Sequence, residues 1–269
     1  MKKILLLLPC LLLGLTACKK TAQTPDGATS DTLTLDSVQC HDSIILDSAN
    51  AVRIDLKACY AISGPQALTD SINTWICQWM GDSLASYRDS IPALMTIHAM
   101  EWLNEYGTQA REEFDTRDNA DYGVNYAYDL RIEPVYEDED YLSMTCTTYL
   151  YTNGAHGGVI IEGVTFDRKD GHQLGYELLQ GMSEEELIAA IRRGLMENFD
   201  IKEDLKGEDG SVITTEQQLN EVLFEPNIGL PAAPPYLTSQ GVVLTYQQYE
   251  IAPYACGMPT VIIPRQKGE

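Results

Sequence analysis

A chain of 269 residues with 44% apolar side chains has material for one large or two modest domains, each with a packed core. Its 40 acidic residues against 18 basic ones give a formal charge of −22 at pH 7. That balance argues against nucleic acid and anionic lipid headgroups as ligands, and it favours a cationic partner or plain solubility.

The first residues set the expected compartment. Lys2 and Lys3 form a basic start, and Ile4 to Leu13 is an apolar stretch too short to cross a bilayer as a mature helix. Leu15-Thr16-Ala17-Cys18 resembles a bacterial lipobox. The resemblance implies a signal peptide over 1–17, cleavage before Cys18, and acylation (palmitate or a similar chain) of that cysteine. The alternative is an ordinary signal peptide with a chance cysteine. Cleavage removes two lysines, leaving 16 basic against 40 acidic residues, or −24. Residues 18–31 are rich in Thr, Ser, Gly and Pro and read as a flexible tether from a lipid anchor. Two lysines rather than an acidic run follow Cys18, so the expected location is a cell-envelope membrane, facing the periplasm.

From Thr32 to Ile62 apolar residues alternate with polar ones (Ile44, Leu46, Val52, Ile54, Leu56), which predicts two or three half-buried strands. Ser63-Gly64-Pro65 ends that pattern. Leu68, Ile72, Trp75, Ile76 and Trp79 then recur at helical spacing, with the tryptophans read as core. Ser90 and Pro92 start a second helix whose face carries Ile91, Leu94, Met95, His98, Trp102 and Tyr106. His98 in that stripe reads as a core histidine. The polar stretch Asp115 to Asp121 suggests a boundary, dividing a half over 32–121 from a domain over 122–269.

Alternation returns at Tyr126, Tyr128, Leu130 and Ile132. The run Glu137-Asp138-Glu139-Asp140 lacks the spaced ligands and glycine of a calcium loop and reads as a solvated turn. Strands over Met144 to Tyr151 and Val159 to Phe166 flank a glycine-rich turn. Ser183-Glu184-Glu185-Glu186 is a capping box opening a helix through Phe199. A shorter helix spans Thr215 to Phe224, and three short strands close the chain. This order predicts an α+β fold, a mainly antiparallel sheet with helices packed on one face.

Five cysteines remain after Cys10 and Cys18: Cys40, Cys59, Cys77, Cys146 and Cys256. Their spacing fits no zinc site, and no metal or cofactor is expected. A hairpin pairing Asp47 with Val52 would set Cys40 opposite Cys59 as a disulfide; buried free thiols are the alternative.

The chain is organised around Tyr149-Leu150-Tyr151-Thr152-Asn153-Gly154-Ala155-His156-Gly157-Gly158. Three glycines in five residues require positive φ or close backbone approach. With Phe166-Asp167, Asp170-Gly171 and the late loop Tyr249-Glu250-Ile251-Ala252-Pro253-Tyr254-Ala255-Cys256-Gly257, this turn resembles the RsiV-like family. The resemblance covers roughly Thr32 to Pro264 and is strongest in the second half. It implies an α+β domain in the cell envelope, and from the family's namesake, binding of lysozyme-type glycosidases. On this chain the matching positions are Asn153 to Gly158 and Tyr249 to Gly257; the candidate partner-binding residues among them are Asn153, Gly154, His156, Gly157, Tyr249, Pro253 and Tyr254, with Pro253 and Tyr254 best suited to partner contact. No segment here matches a cytoplasmic signalling part or a deacetylase domain, so those roles do not carry over.

Three functions stand. The first is a non-enzymatic binding lipoprotein for a cationic lysozyme-type protein or peptidoglycan. The second is a cell-wall hydrolase using His156 as base or ligand, although Gly-x-Ser-x-Gly is absent and no cysteine sits in a nucleophile signature. The third is a structural subunit of an envelope assembly.

Overall fold

The computed structural model describes residues 32–81, 90–117 and 123–265. The expected signal peptide over 1–17, Cys18 and the expected tether over 18–31 lie outside these residues. Strands β1 (Thr34–Ile45) and β2 (Ala51–Ser63) form an antiparallel hairpin. The turn between them is fixed by the Asp47 carboxylate, which accepts from the amides of Ala49 and Asn50 and from the Asn50 side chain. Two helices follow, α1 (Gln66–Gln78) and α2 (Ile91–Thr116). They carry the chain across the sheet, so β3 (Asn125–Glu137) lies parallel to β2. Strands β4 (Tyr141–Thr152), β5 (Gly158–Asp167) and β6 (Gln173–Leu174) then add in antiparallel order, giving one sheet, β1-β2-β3-β4-β5-β6.

Side chains of even number on β2 to β5 face the helices. Val52, Ile54, Leu56, Tyr126, Leu130, Leu142, Met144, Val164 and Phe166 are all buried there against Leu68, Ile72, Leu94 and Met95. Trp75 meets Phe166 edge-on at 6.3 Å. The predicted stripe on α2 becomes an aromatic run: His98 on Tyr128, Tyr128 stacked on Trp102 at 5.4 Å, and Trp102 stacked on Tyr106 at 4.7 Å. This sheet spans the boundary expected at 121/122. The hydrophobic core runs from Val52 to Phe166, so that boundary does not divide the fold.

Burial holds the His98 imidazole below its ordinary value, partly opposed by Glu101. A histidine that resists protonation only when folded leaves stability intact above its unfolded value, about 6.5. Stability is lost as pH falls below that value, and the loss is complete below the folded value. Denaturant midpoints at pH 7.5 and 5.5 should therefore differ more for the natural chain than for His98→Gln.

The disulfide expectation is corrected by register. Ile44, not Asp47, faces Val52, so Cys40 lies opposite Leu56 and Cys59 opposite Ser37. The shift is three residues, an odd number, so the two thiols point to opposite faces of the sheet. All five described cysteines are free.

A second set of elements comprises α3 (Glu184–Asn198), a small hairpin β7 (Leu205–Lys206) and β8 (Val212–Ile213), α4 (Thr215–Val222), and the sheet of β9 (Tyr236–Leu237), β10 (Val242–Thr245) and β11 (Thr260–Ile263). These build a second core around Leu187, Ile191, Leu219, Leu244 and Val261. The small sheet covers the face of β5 that α1 and α2 leave open. There the ring of Tyr236 lies over Gly163, and the Leu237 amide donates to Thr165 Oγ1 at 2.8 Å. All four residues of β10 are buried, as a strand covered on both faces requires. The layers run helix pair, sheet, sheet, helix. The α+β class and mainly antiparallel pairing hold, but helices lie on both sides of the main sheet.

Both halves of the predicted box form at α3: Ser183 Oγ accepts from the Glu186 amide, and the Glu186 carboxylate accepts from the Ser183 amide at 2.8 Å. Ser183→Ala should cost about 1 kcal/mol in a urea titration. Among the described residues no helix is long and apolar enough to cross a membrane.

Candidate functional site

The two sequence motifs meet. The turn between β4 and β5 begins with Asn153 at φ 64°, followed by Gly154 at φ 96°. Asn153 is spent inside the protein: its Oδ1 accepts from the Asn125 amide at 2.9 Å, and its Nδ2 donates to Glu113 on α2 at 2.8 Å. The turn is thereby tied to both β3 and a helix. Gly157 is buried against the Tyr149 ring, where a Cβ would stand 2.3 Å from it, so the position requires glycine.

The late loop arrives over this turn. The Tyr254 hydroxyl donates to the Gly157 carbonyl at 3.1 Å, and its ring stacks on His156 with centroids 3.7 Å apart and planes 18° apart. The His156 Nε2 lies 3.3 Å from the Tyr249 hydroxyl and its Nδ1 lies 3.1 Å from the Gly157 carbonyl. One neutral tautomer satisfies both: Nδ1–H donates to the carbonyl, and Nε2 accepts from the tyrosine. Tyr249 is 54% exposed and sits at φ 65°. That conformation is rare for a bulky side chain and is held only where its surroundings impose it. Pro253 is exposed and starts the short turn Tyr254–Cys256.

Several residues brace the loop. The Glu250 carboxylate accepts from the amides of Gln247 and Ala232, each at 2.7 Å. The Gln247 side chain accepts from the Ile161 amide at 3.1 Å and donates to the Ile161 carbonyl at 2.7 Å, replacing a strand neighbour along the free edge of β5. Gln248 accepts from the Val159 amide in the same way. Sequence reasoning missed Tyr149, Gln247, Gln248 and Glu250 in these roles. Tyr149 and Glu250 lie within the two motifs without a bracing role being legible, and only adjacency to Tyr249 marked Gln247 and Gln248.

The result is an aromatic surface in which the exposed His156 and Tyr249 lie beside the half-buried ring of Tyr254 on a braced base. Among the described residues no carboxylate bonds to His156, and no group of three or more His, Cys, Asp or Glu is placed to hold a metal. Two open hollows of about 510 and 340 Å³ lie elsewhere: one beside Asp140, Tyr141 and Arg168, the other beside Tyr60, Thr69 and Asn73. The acidic run is a turn: the Asp138 carboxylate accepts from the Tyr136 hydroxyl and from the amides of Asp140 and Tyr141, while Glu137 pairs with Arg168.

The fold defines an α+β protein of two stacked sheets with outer helices. Residues 180–266, from just before α3 through β11, match a family described as "Protein of unknown function (DUF3298)". A DUF3298 family member from Bacteroides fragilis NCTC 9343 shares the fold, with TM-score 0.68 and 20% identity over 88% of this chain and 92% of that one. Another, from Pseudomonas aeruginosa PAO1, superposes with TM-score 0.48 and 14% identity over 87% and 92%. No curated protein matches in sequence. The family match and the Bacteroides structure are consistent with the RsiV-like resemblance of the motifs.

Proposed function

We propose that this chain is a binding protein of the cell envelope, held to a membrane by lipid on Cys18, whose aromatic surface grips a cationic protein of the lysozyme type. The observation that carries this reading is the stacking of His156 on Tyr254 beside the exposed, backbone-strained Tyr249. Rigid tyrosines on a braced loop suit an interface anchor, because little side-chain freedom is lost on contact. The formal charge of −22 supports it by steering a basic partner toward the surface. The bonding of His156 favours a contact role over general-base work, which needs a proton acceptor aimed at substrate.

The test is calorimetric titration of the lipid-free chain with a basic lysozyme at low and high salt. Binding that weakens with salt and is competed by no glycan supports the reading. Absence of heat even at low salt removes it. Metabolic labelling with palmitate, compared between the natural chain and Cys18→Ser, tests the anchor separately.

A further inference from the structure

Two free strand edges among the described residues are closed by side-chain amides. Gln247 and Gln248 close β5 at Ile161 and Val159. Asn73 does the same for β2 where it runs past β3, accepting from the Ala61 amide at 3.0 Å and donating to its carbonyl at 2.9 Å. Strand β1 is different. It forms one end of the sheet, at the opposite edge from the aromatic surface, and turns the backbone groups of alternate residues outward along its twelve-residue length. The Ser37 amide donates to the Asp36 carboxylate at 2.8 Å, and the Ser43 amide to Asp42 at 2.7 Å. An amide so engaged points away from β2. Alternation along the strand turns the amides of Gln39 and His41 the same way, and no side chain among the described residues caps them. The edge thus has two closed ends and an open middle.

We propose that β1 takes up an extended basic peptide as an additional antiparallel strand. Its chemistry specifies the partner. On the helix side β1 reads Asp36, Val38, Cys40, Asp42, Ile44, and the strand holds no lysine or arginine. Asp36 and Asp42 are exposed and stand six positions apart, or about 20 Å at strand rise. The matching segment carries a basic residue opposite each aspartate, two apolar residues between them, and small polar residues on the alternate face. A second copy of this chain is disfavoured as occupant, since it would bring the same aspartates and the same net negative charge to the edge.

The probe is a fluorescent peptide, Val-Thr-Lys-Thr-Val-Thr-Val-Thr-Lys, followed by anisotropy with the full chain in detergent at low salt. Binding is expected. It should weaken at least about tenfold when alternate peptide nitrogens are methylated, since several net hydrogen bonds are lost while charge is kept. A peptide with glutamates for both lysines should not bind the natural chain but should bind Asp36→Lys/Asp42→Lys. Gln39→Pro removes an outward amide and keeps the backbone bonds to β2, losing only the exposed bond from Gln39 Nε2 to Asp55, and should block binding with a melting temperature within a few degrees of the natural chain. Should that variant not fold, the methylated peptide on the natural chain decides alone. Equal binding of the methylated peptide, or no binding of the first peptide, overturns the proposal. So does a dimer in sedimentation that Gln39→Pro dissolves, because the edge would then belong to a second copy.

Discussion

Gly163→Val is expected to lower the unfolding free energy by about 3 kcal/mol, near the upper end for forced overpacking. A Cβ at this position would stand 2.1 Å from Cδ1 and 2.3 Å from Cγ of Tyr236. Turning the ring about Cβ–Cγ leaves Cγ in place, so relief requires either a new Tyr236 side-chain pose or separation of the two sheets. Beside this contact runs a buried chain of bonds: Ser143 Oγ lies 2.9 Å from Thr165 Oγ1, which accepts from the Leu237 amide at 2.8 Å. Separation would strand these groups away from water, at about 1–3 kcal/mol for each left unpaired. Gly158 is the control. It opens the same strand, and a Cβ there meets nothing within 4 Å. Gly158→Ala should melt within a degree or two of the natural chain, while Gly163→Val shifts the urea midpoint strongly. A natural midpoint for Gly163→Val would show that the sheets are not held in contact at β5.

Local periods made much of this fold legible. The stripe from Ile91 to Tyr106 gave α2 and its buried face, and Ser183 with Glu186 gave the start of α3. The parallel pairing of β2 with β3 was not legible. It joins residues more than seventy positions apart across two helices, and a polar stretch near 121 reads the same whether it ends a domain or a crossover. The cysteine pairing failed for a smaller reason. Five residues, Leu46 to Asn50, turn the first hairpin around the Asp47 side chain, and a guessed register that is wrong by three inverts every side chain. The motifs of the site were visible, but their contact was not: the bonds from Tyr249 to His156 and from Tyr254 to Gly157 span 93 and 97 residues. Asn153 shows the converse. Its place in the motif suggested partner contact, and its side chain instead fastens the turn to Asn125 and Glu113.

Tyr254→Ala should weaken binding of the proposed lysozyme-type partner by about 2 kcal/mol or more, roughly thirtyfold, as expected for an interface anchor. Truncation removes the ring that stacks on His156 and the hydroxyl that holds Gly157, so both the contact area and the pose of the turn are lost. Tyr254→Phe separates the two effects. It keeps the stack and should retain most of the affinity if ring area dominates. Tyr249→Gly supplies the sharper distinction between anchor and scaffold. The residue sits at φ 65°, where glycine is at ease and a tyrosine is strained by about 1 kcal/mol. A purely structural tyrosine would leave a less stable protein when removed. A tyrosine kept for contact leaves one equally or more stable that binds poorly, because the strain is maintained only by what the ring does at the surface. Calorimetry of partner binding beside thermal unfolding of the same sample therefore decides the role of this loop, and a Tyr249→Gly chain that melts early yet binds normally would assign it to packing.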